Sequence, residues 1–203
     1  FDTDGTVYHL FDGLSDPAGQ PIATQTPSGH VLVGQAYLRT PADERDLGCC
    51  SFVRLRLHDD QGAPAGLGGD GAADVQVPAM DSPRGLLDLR DGVGEIRVAT
   101  SMYFRPVGRA LPPEGPAVVV TIIDDDGVVT GADLLVRPGA CEAGDAGVTP
   151  SAAAIAPSGS VFVGWEGCAG GPVVAKYTGE TGEGTRQLSQ SEWVHRLAVG
   201  PDG

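Results

Sequence analysis

The sequence predicts an all-β fold assembled from repeated four-stranded antiparallel units. Three observations predict it. Two motif series recur at a constant spacing, short apolar runs alternate with turn residues, and no stretch sustains a helical period.

The first series is Pro27-Ser28-Gly29-His30-Val31-Leu32-Val33-Gly34. It returns as Gly92-Val93-Gly94-Glu95-Ile96-Arg97-Val98-Ala99 and again as Pro157-Ser158-Gly159-Ser160-Val161-Phe162-Val163-Gly164, each copy 65 residues after the last. Pro201-Asp202-Gly203 reads as a further start after a shorter interval. The second series runs from Phe52 to Gly62 and from Ala117 to Gly127, again 65 residues apart, with a shorter copy from Val173 to Gly182. Asp2-Thr3-Asp4-Gly5 reads as the tail of an earlier copy. Pro-Ser-Gly and Asp-Asp-Gly are hairpin turns, because Gly takes positive φ freely and Asp caps its own backbone.

One unit therefore reads as four strands. The first ends in the Pro-Ser-Gly turn, the second is Val-Leu-Val-Gly or its copy, the third ends in the Asp-rich turn, and the fourth follows it. Strands are expected near Val31–Gly34, Val53–Leu57, Ile96–Thr100, Val118–Ile123, Val161–Trp165 and Val173–Tyr177. The chain divides as a single repeat-built domain, 1–203: a repeat tail 1–20, repeats 21–84, 85–150 and 151–192, and the start of a fourth at 193–203.

Residues Ile22 to Val75 resemble the bacterial delta-60 repeat in Pro27 to Gly34, Phe52 to Leu57, Asp60 to Gly62 and Gly68-Gly69-Asp70-Gly71. The second copy lacks the Pro-Ser-Gly turn, and neither later copy keeps Gly-Gly-Asp-Gly. The resemblance implies a β-propeller-like array of four-stranded antiparallel blades, about three and a half repeats of roughly 65 residues. It implies little about function, since propellers host many. A closed propeller needs about four or more blades, so the chain is expected to be part of a larger one. It opens at Phe1 without a methionine, which reads as a processed or excised piece.

Composition narrows the partners. The 203 residues carry a net charge of −14 and a single lysine, Lys176. Such a surface repels phosphate backbones and anionic lipid, so no nucleic acid and no membrane insertion are expected. The longest strongly apolar run, Ala117 to Ile123, is far too short to span a bilayer as a helix. The scarcity of Lys and the absence of Asn, both with AT-rich codons, point to a GC-rich bacterial genome.

The four cysteines are Cys49, Cys50, Cys141 and Cys168. None forms a CxxC pair, and no His stands at a zinc-motif spacing from one. Cys49, Cys50 and Cys168 fall between second and third strands, and Cys141 between one unit and the next. In antiparallel units those connections emerge at the same end. Cys141 with Cys168 is the natural bridge, closing a loop that stabilises by about 3 kcal/mol. Cys49 and Cys50 could pair with each other, or one could pair elsewhere; four reduced thiols are the alternative. Disulfides favour an oxidising compartment, hence a secreted or cell-surface protein.

Chemical motifs are sparse. Gly179 to Thr185 lacks the lysine of a phosphate loop, and no helix follows Gly66 to Gly71. There is no Gly-x-Ser-x-Gly elbow. Asp124, Asp125 and Asp126 could donate oxygens to calcium, yet Asp at a tight turn is already explained by capping. Calcium is the one possible cofactor. Trp165 and Trp193 read as packing residues.

The function these readings favour is a secreted or surface-exposed, non-catalytic structural or binding module. Its partner would be a protein or another copy of itself, met through the connection-rich end with its long insertions Arg39 to Gly48 and Arg105 to Gly115. A second reading is a hydrolase or lyase with Arg84, Asp88, Arg90, His195 and Arg196 converging on a central channel. A third is a purely architectural, calcium-stabilised array.

Overall fold

A computed structural model describes residues 16–38, 51–69, 71–77, 83–92, 94–104, 115–139, 141, 147–188 and 194–200. Twelve strands form three four-stranded antiparallel sheets. The first holds β1 (Asp16–Gln25), β2 (Val31–Leu38), β3 (Ser51–His58) and β4 (Ala72–Gln76). The second holds β5 (Pro83–Asp91), β6 (Ile96–Phe104), β7 (Gly115–Ile123) and β8 (Val129–Val136). The third holds β9 (Thr149–Ile155), β10 (Val161–Glu166), β11 (Val173–Thr178) and β12 (Thr181–Gln187). In every sheet the strands pair in chain order, each antiparallel to its neighbour in sequence. The one helical segment among the described residues is a 3-10 turn at Leu67–Gly69.

The six expected strands lie inside β2, β3, β6, β7, β10 and β11. β2, β6 and β10 begin at 31, 96 and 161, and the pairs Val31↔His58 and Ile96↔Ile123 stand 65 residues apart in adjacent sheets. The strand bounds differ from the expected divisions by a few residues. β1 begins at Asp16, inside the stretch assigned to a tail, while β5 and β9 begin at Pro83 and Thr149. Pro17, Pro21, Pro83 and Pro150 all fall on β1, β5 and β9, which are edge strands, the places in a sheet that tolerate proline. Register shifts between Ala18/Ile22, Leu86/Asp88 and opposite Gly164/Trp165 carry these strands onward as bulges. Gln35, buried in β2, fills the first bulge by donating to the carbonyls of Ala18 at 3.1 Å and Gly19 at 3.3 Å. The strand expected from 193 onward is also corrected: residues 194–200 run without strand assignment.

Two cores hold the sheets together. Leu32, Val53 and Leu55 of the first sheet pack with Leu86, Leu89, Val98, Met102, Val119 and Ile123 of the second. Ala99, Val118, Val120 and Leu135 of the second pack with Ile155, Val161, Val163, Trp165 and Val173 of the third. Alternate residues of β7 thus serve opposite cores. That is why Ala117 to Ile123 is apolar apart from the buried Thr121: the strand is covered on both faces.

One small residue recurs where elements approach. A Cβ on Gly34 would stand 2.9 Å from Leu86 Cδ2 and 3.2 Å from Leu89 Cδ2. The corresponding residue of the third sheet, Gly164, is crowded by Val194. In the middle sheet the position is Ala99, fully buried. The segment 194–200 therefore approaches the third sheet at the position by which β5 approaches the first.

Candidate functional site

The edge strands β1, β5 and β9 and residues 195–199 line a cavity of about 1120 Å³. Four of the five residues offered for a central site reach it: Asp88, Arg90, His195 and Arg196. Arg84 does not; its guanidinium lies over the Tyr103 ring, 5.8 Å from the centroid.

Asp88 and Arg90 are already engaged. Two residues apart on one strand, they share a side. Ile155 N–H donates to Asp88 Oδ2 at 2.6 Å, and Arg90 Nη1 donates to Ile155 O at 2.9 Å. Together they satisfy both main-chain groups of one β9 residue, as a neighbouring strand would. Burial raises the Asp88 pKa; the amides of Ile155 and Leu89 and the Arg90 charge oppose that shift. A second tie lies beyond it: Arg97 donates to Gly159 O at 2.9 Å while paired to Glu95 at 2.7 Å. The Asp-x-Arg spacing of Asp88 and Arg90 was visible in the sequence, but their target, 65 to 67 residues away, was not.

At one end of the third sheet the sulfurs of Cys141 and Cys168 are 1.97 Å apart, disulfide distance, with Cα atoms 4.8 Å apart. Cys141 follows β8, Cys168 lies between β10 and β11, and both are buried in the second core. The same two connections meet again nearby, where a Cβ on Gly167 would stand 2.6 Å from Gly147 O. Cys49, Cys50, Trp193, residues 39–48 and residues 105–114 fall outside the described residues. Trp165 is fully buried, a packing residue as expected.

The aspartate turns act as caps. Asp124 Oδ1 accepts from Asp126 N at 3.1 Å and Val128 N at 2.8 Å, and Asp59 Oδ1 accepts from Gln61 N at 2.9 Å and Ala63 N at 2.8 Å. Asp125 and Asp126 are exposed. Among the described residues no three His, Cys, Asp or Glu side chains are grouped as a metal site would need. Gly179 and Glu180 form the turn into β12, where the glycine-rich run is plain strand.

Fold and site define an all-β protein of three four-stranded antiparallel sheets, with one cysteine pair at disulfide distance. Comparison with protein-family models and with curated proteins finds no match to the chain. No helix among the described residues is long and apolar enough to cross a membrane.

Proposed function

We propose that the chain is a β-propeller-like, non-catalytic binding module of a secreted or surface-exposed protein. It would meet a protein partner, or another copy of itself, through the end where connections rather than tight hairpins emerge. The observation that carries this reading is the Cys141–Cys168 pair. It fastens the connection after β8 to the one between β10 and β11, and such a fastening gives recognition segments a rigid base. The propeller-like arrangement draws support from Val194 at Gly164, which repeats the approach of Leu86 to Gly34. The non-catalytic reading draws on Asp88 and Arg90, whose polar atoms are engaged by Ile155.

The test shortens Pro41 to Leu47, and separately Val107 to Glu114, to Gly-Ser links. Each variant then undergoes cross-linking on the surface of cells that display the protein. Folding should survive in both, and cross-linked assemblies should fall for at least one. Full retention in both, with loss on changing Pro27-Ser28-Gly29, would place the contact at the wrong end.

The second reading, a hydrolase or lyase, draws on the cavity itself, which retains Asp91, His195 and Arg196 on its wall. Turnover of a chromogenic ester or glycoside that disappears in His195→Ala would favour it over a binding role.

A further inference from the structure

At the opposite end, among the tight hairpins, a groove of about 360 Å³ runs between the first and second sheets. Its apolar lining comes from Pro27, Leu57, Leu67 and Ile96, and two carboxylates, Asp91 and Asp125, also line it. We propose that this groove receives a basic side chain, an arginine above all, from a segment of a partner protein. The inference is independent of the connection-end reading, because it concerns the other end of the sheets.

Three features of the groove argue for that occupant. First, its chemistry is two-part: an apolar lining suits the methylene stem of a long basic side chain, and the carboxylates suit its charged head. Second, the charge on Asp91 is opposed by His30 alone. Neither Asp91 nor Asp125 has a hydrogen-bond or ion-pair partner among the described residues. Arg90, next to Asp91 in sequence, donates to Ile155 O, and Arg97 is held by Glu95 and Gly159. Burial and the facing Asp125 charge raise the Asp91 pKa, and only His30 opposes them. Two like charges held together beside apolar surface favour a cation between them. Third, both carboxylates stand on fixed turns. Asp91 precedes the hairpin closed by Gly92 N to Glu95 O at 2.8 Å. Asp125 lies in the turn capped by Asp124, and that turn abuts the first sheet so closely that a Cβ on Gly127 would stand 2.8 Å from Ala73 Cβ. A site held in place this way spends little entropy on ordering itself. Arginine is favoured over lysine because its planar, permanently charged fork presents several donors in fixed geometry to carboxylates.

The probe is a blocked pentapeptide with arginine at its centre, titrated into the intact protein and followed by amide chemical shifts. The control peptide carries citrulline, which has the same shape without the charge. Shifts should cluster at Gly66, Leu67, Gly92, Gly94 and Ile96. Affinity should fall roughly tenfold with citrulline and by a similar factor in Asp91→Asn/Asp125→Asn, as two half-exposed ion pairs would give. Binding should also weaken as pH falls, and sooner than an ordinary exposed carboxylate would require, because Asp91 protonates early. Equal binding of the citrulline peptide would overturn the proposal, as would shifts spread over the acidic surface. Self-association that Asp91→Asn/Asp125→Asn abolishes, without arginine-peptide binding, would assign the groove to a second copy and overturn it too. If that variant misfolds, the comparison of the two peptides on the unaltered protein still decides.

Discussion

Asp88 on β5 accepts the main-chain N–H of Ile155 on β9 at 2.6 Å, across the junction between the second and third sheets. This edge-to-edge contact acts with Arg90 in place of strand pairing. Replacing Asp88 with Ala leaves the Ile155 N–H without its partner and should cost about 1–3 kcal/mol in chemical denaturation. The carboxyl also carries a pH signature. Burial holds its folded pKa above the ordinary aspartate value of 3.8, so the native state binds the proton more tightly than the unfolded chain. The stability this group contributes is therefore fully present below the unfolded pKa and declines as pH rises through the folded one. Asp88→Asn should flatten that part of the stability profile; an unchanged profile would show that Asp88 does not titrate differently on folding.

The close approach at Gly34 makes a steric prediction. Leu55 Cδ2 lies 3.2 Å from where a Cβ would sit, and Leu86 Cδ2 nearer still at 2.9 Å. Gly34→Val should overpack the first junction and destabilise by about 1–3 kcal/mol in thermal or denaturant unfolding. A neutral result would mean that β5 can shift away from β2 at no cost.

Tyr177 makes a spectroscopic one. Its hydroxyl donates to Val136 O at 2.7 Å, and burial pushes its pKa up to about 12. Because the unfolded phenol ionises near its usual value of 10.0, the stability from this contact should be fully present below that pH and lost on rising towards 12. Ultraviolet titration should show one phenol ionising late, and Tyr177→Phe should remove that step. If every tyrosine titrates together near 10, the hydroxyl is not held as described.

Asp124 distinguishes turn chemistry from metal binding. With its Oδ1 capping Asp126 N and Val128 N, Asp124→Ala should cost about 1 kcal/mol whether or not calcium is present. Calcium or a chelator should leave the melting temperature of the parent protein unchanged. A rise with calcium that Asp124→Ala abolishes would restore the metal reading.

Much of the fold was legible because its signals are local. Val-x-Val or Ile-x-Val runs after Gly-bearing turns mark second strands at 31, 96 and 161, and Asp turns mark the ends of β3 and β7. Edge strands were less legible. Pro21 and the bulge beside it conceal β1, and only the sheet shows that its free edge can host a proline. The alternation of Gly34, Ala99 and Gly164 was readable as a series, while its cause, an incoming neighbour, depends on packing between distant segments. The same holds for function. Asp88 and Arg90 were candidate catalytic groups until Ile155 was placed against them. The Asp91–Asp125 groove is not legible in the sequence because each aspartate alone looks like ordinary turn chemistry.

The Cys141–Cys168 bond is the most direct test of the proposed module, since both the pinned connection end and the oxidising compartment rest on it. Alkylate the native protein under denaturing conditions without reductant, digest it, and map the cysteine peptides by mass. The expected result is a linked peptide pair containing Cys141 and Cys168, lost after reduction, with a drop in stability of about 3 kcal/mol in Cys141→Ala/Cys168→Ala. Free alkylation of both thiols in protein recovered from its own compartment would contradict the pinned platform and the secreted assignment together.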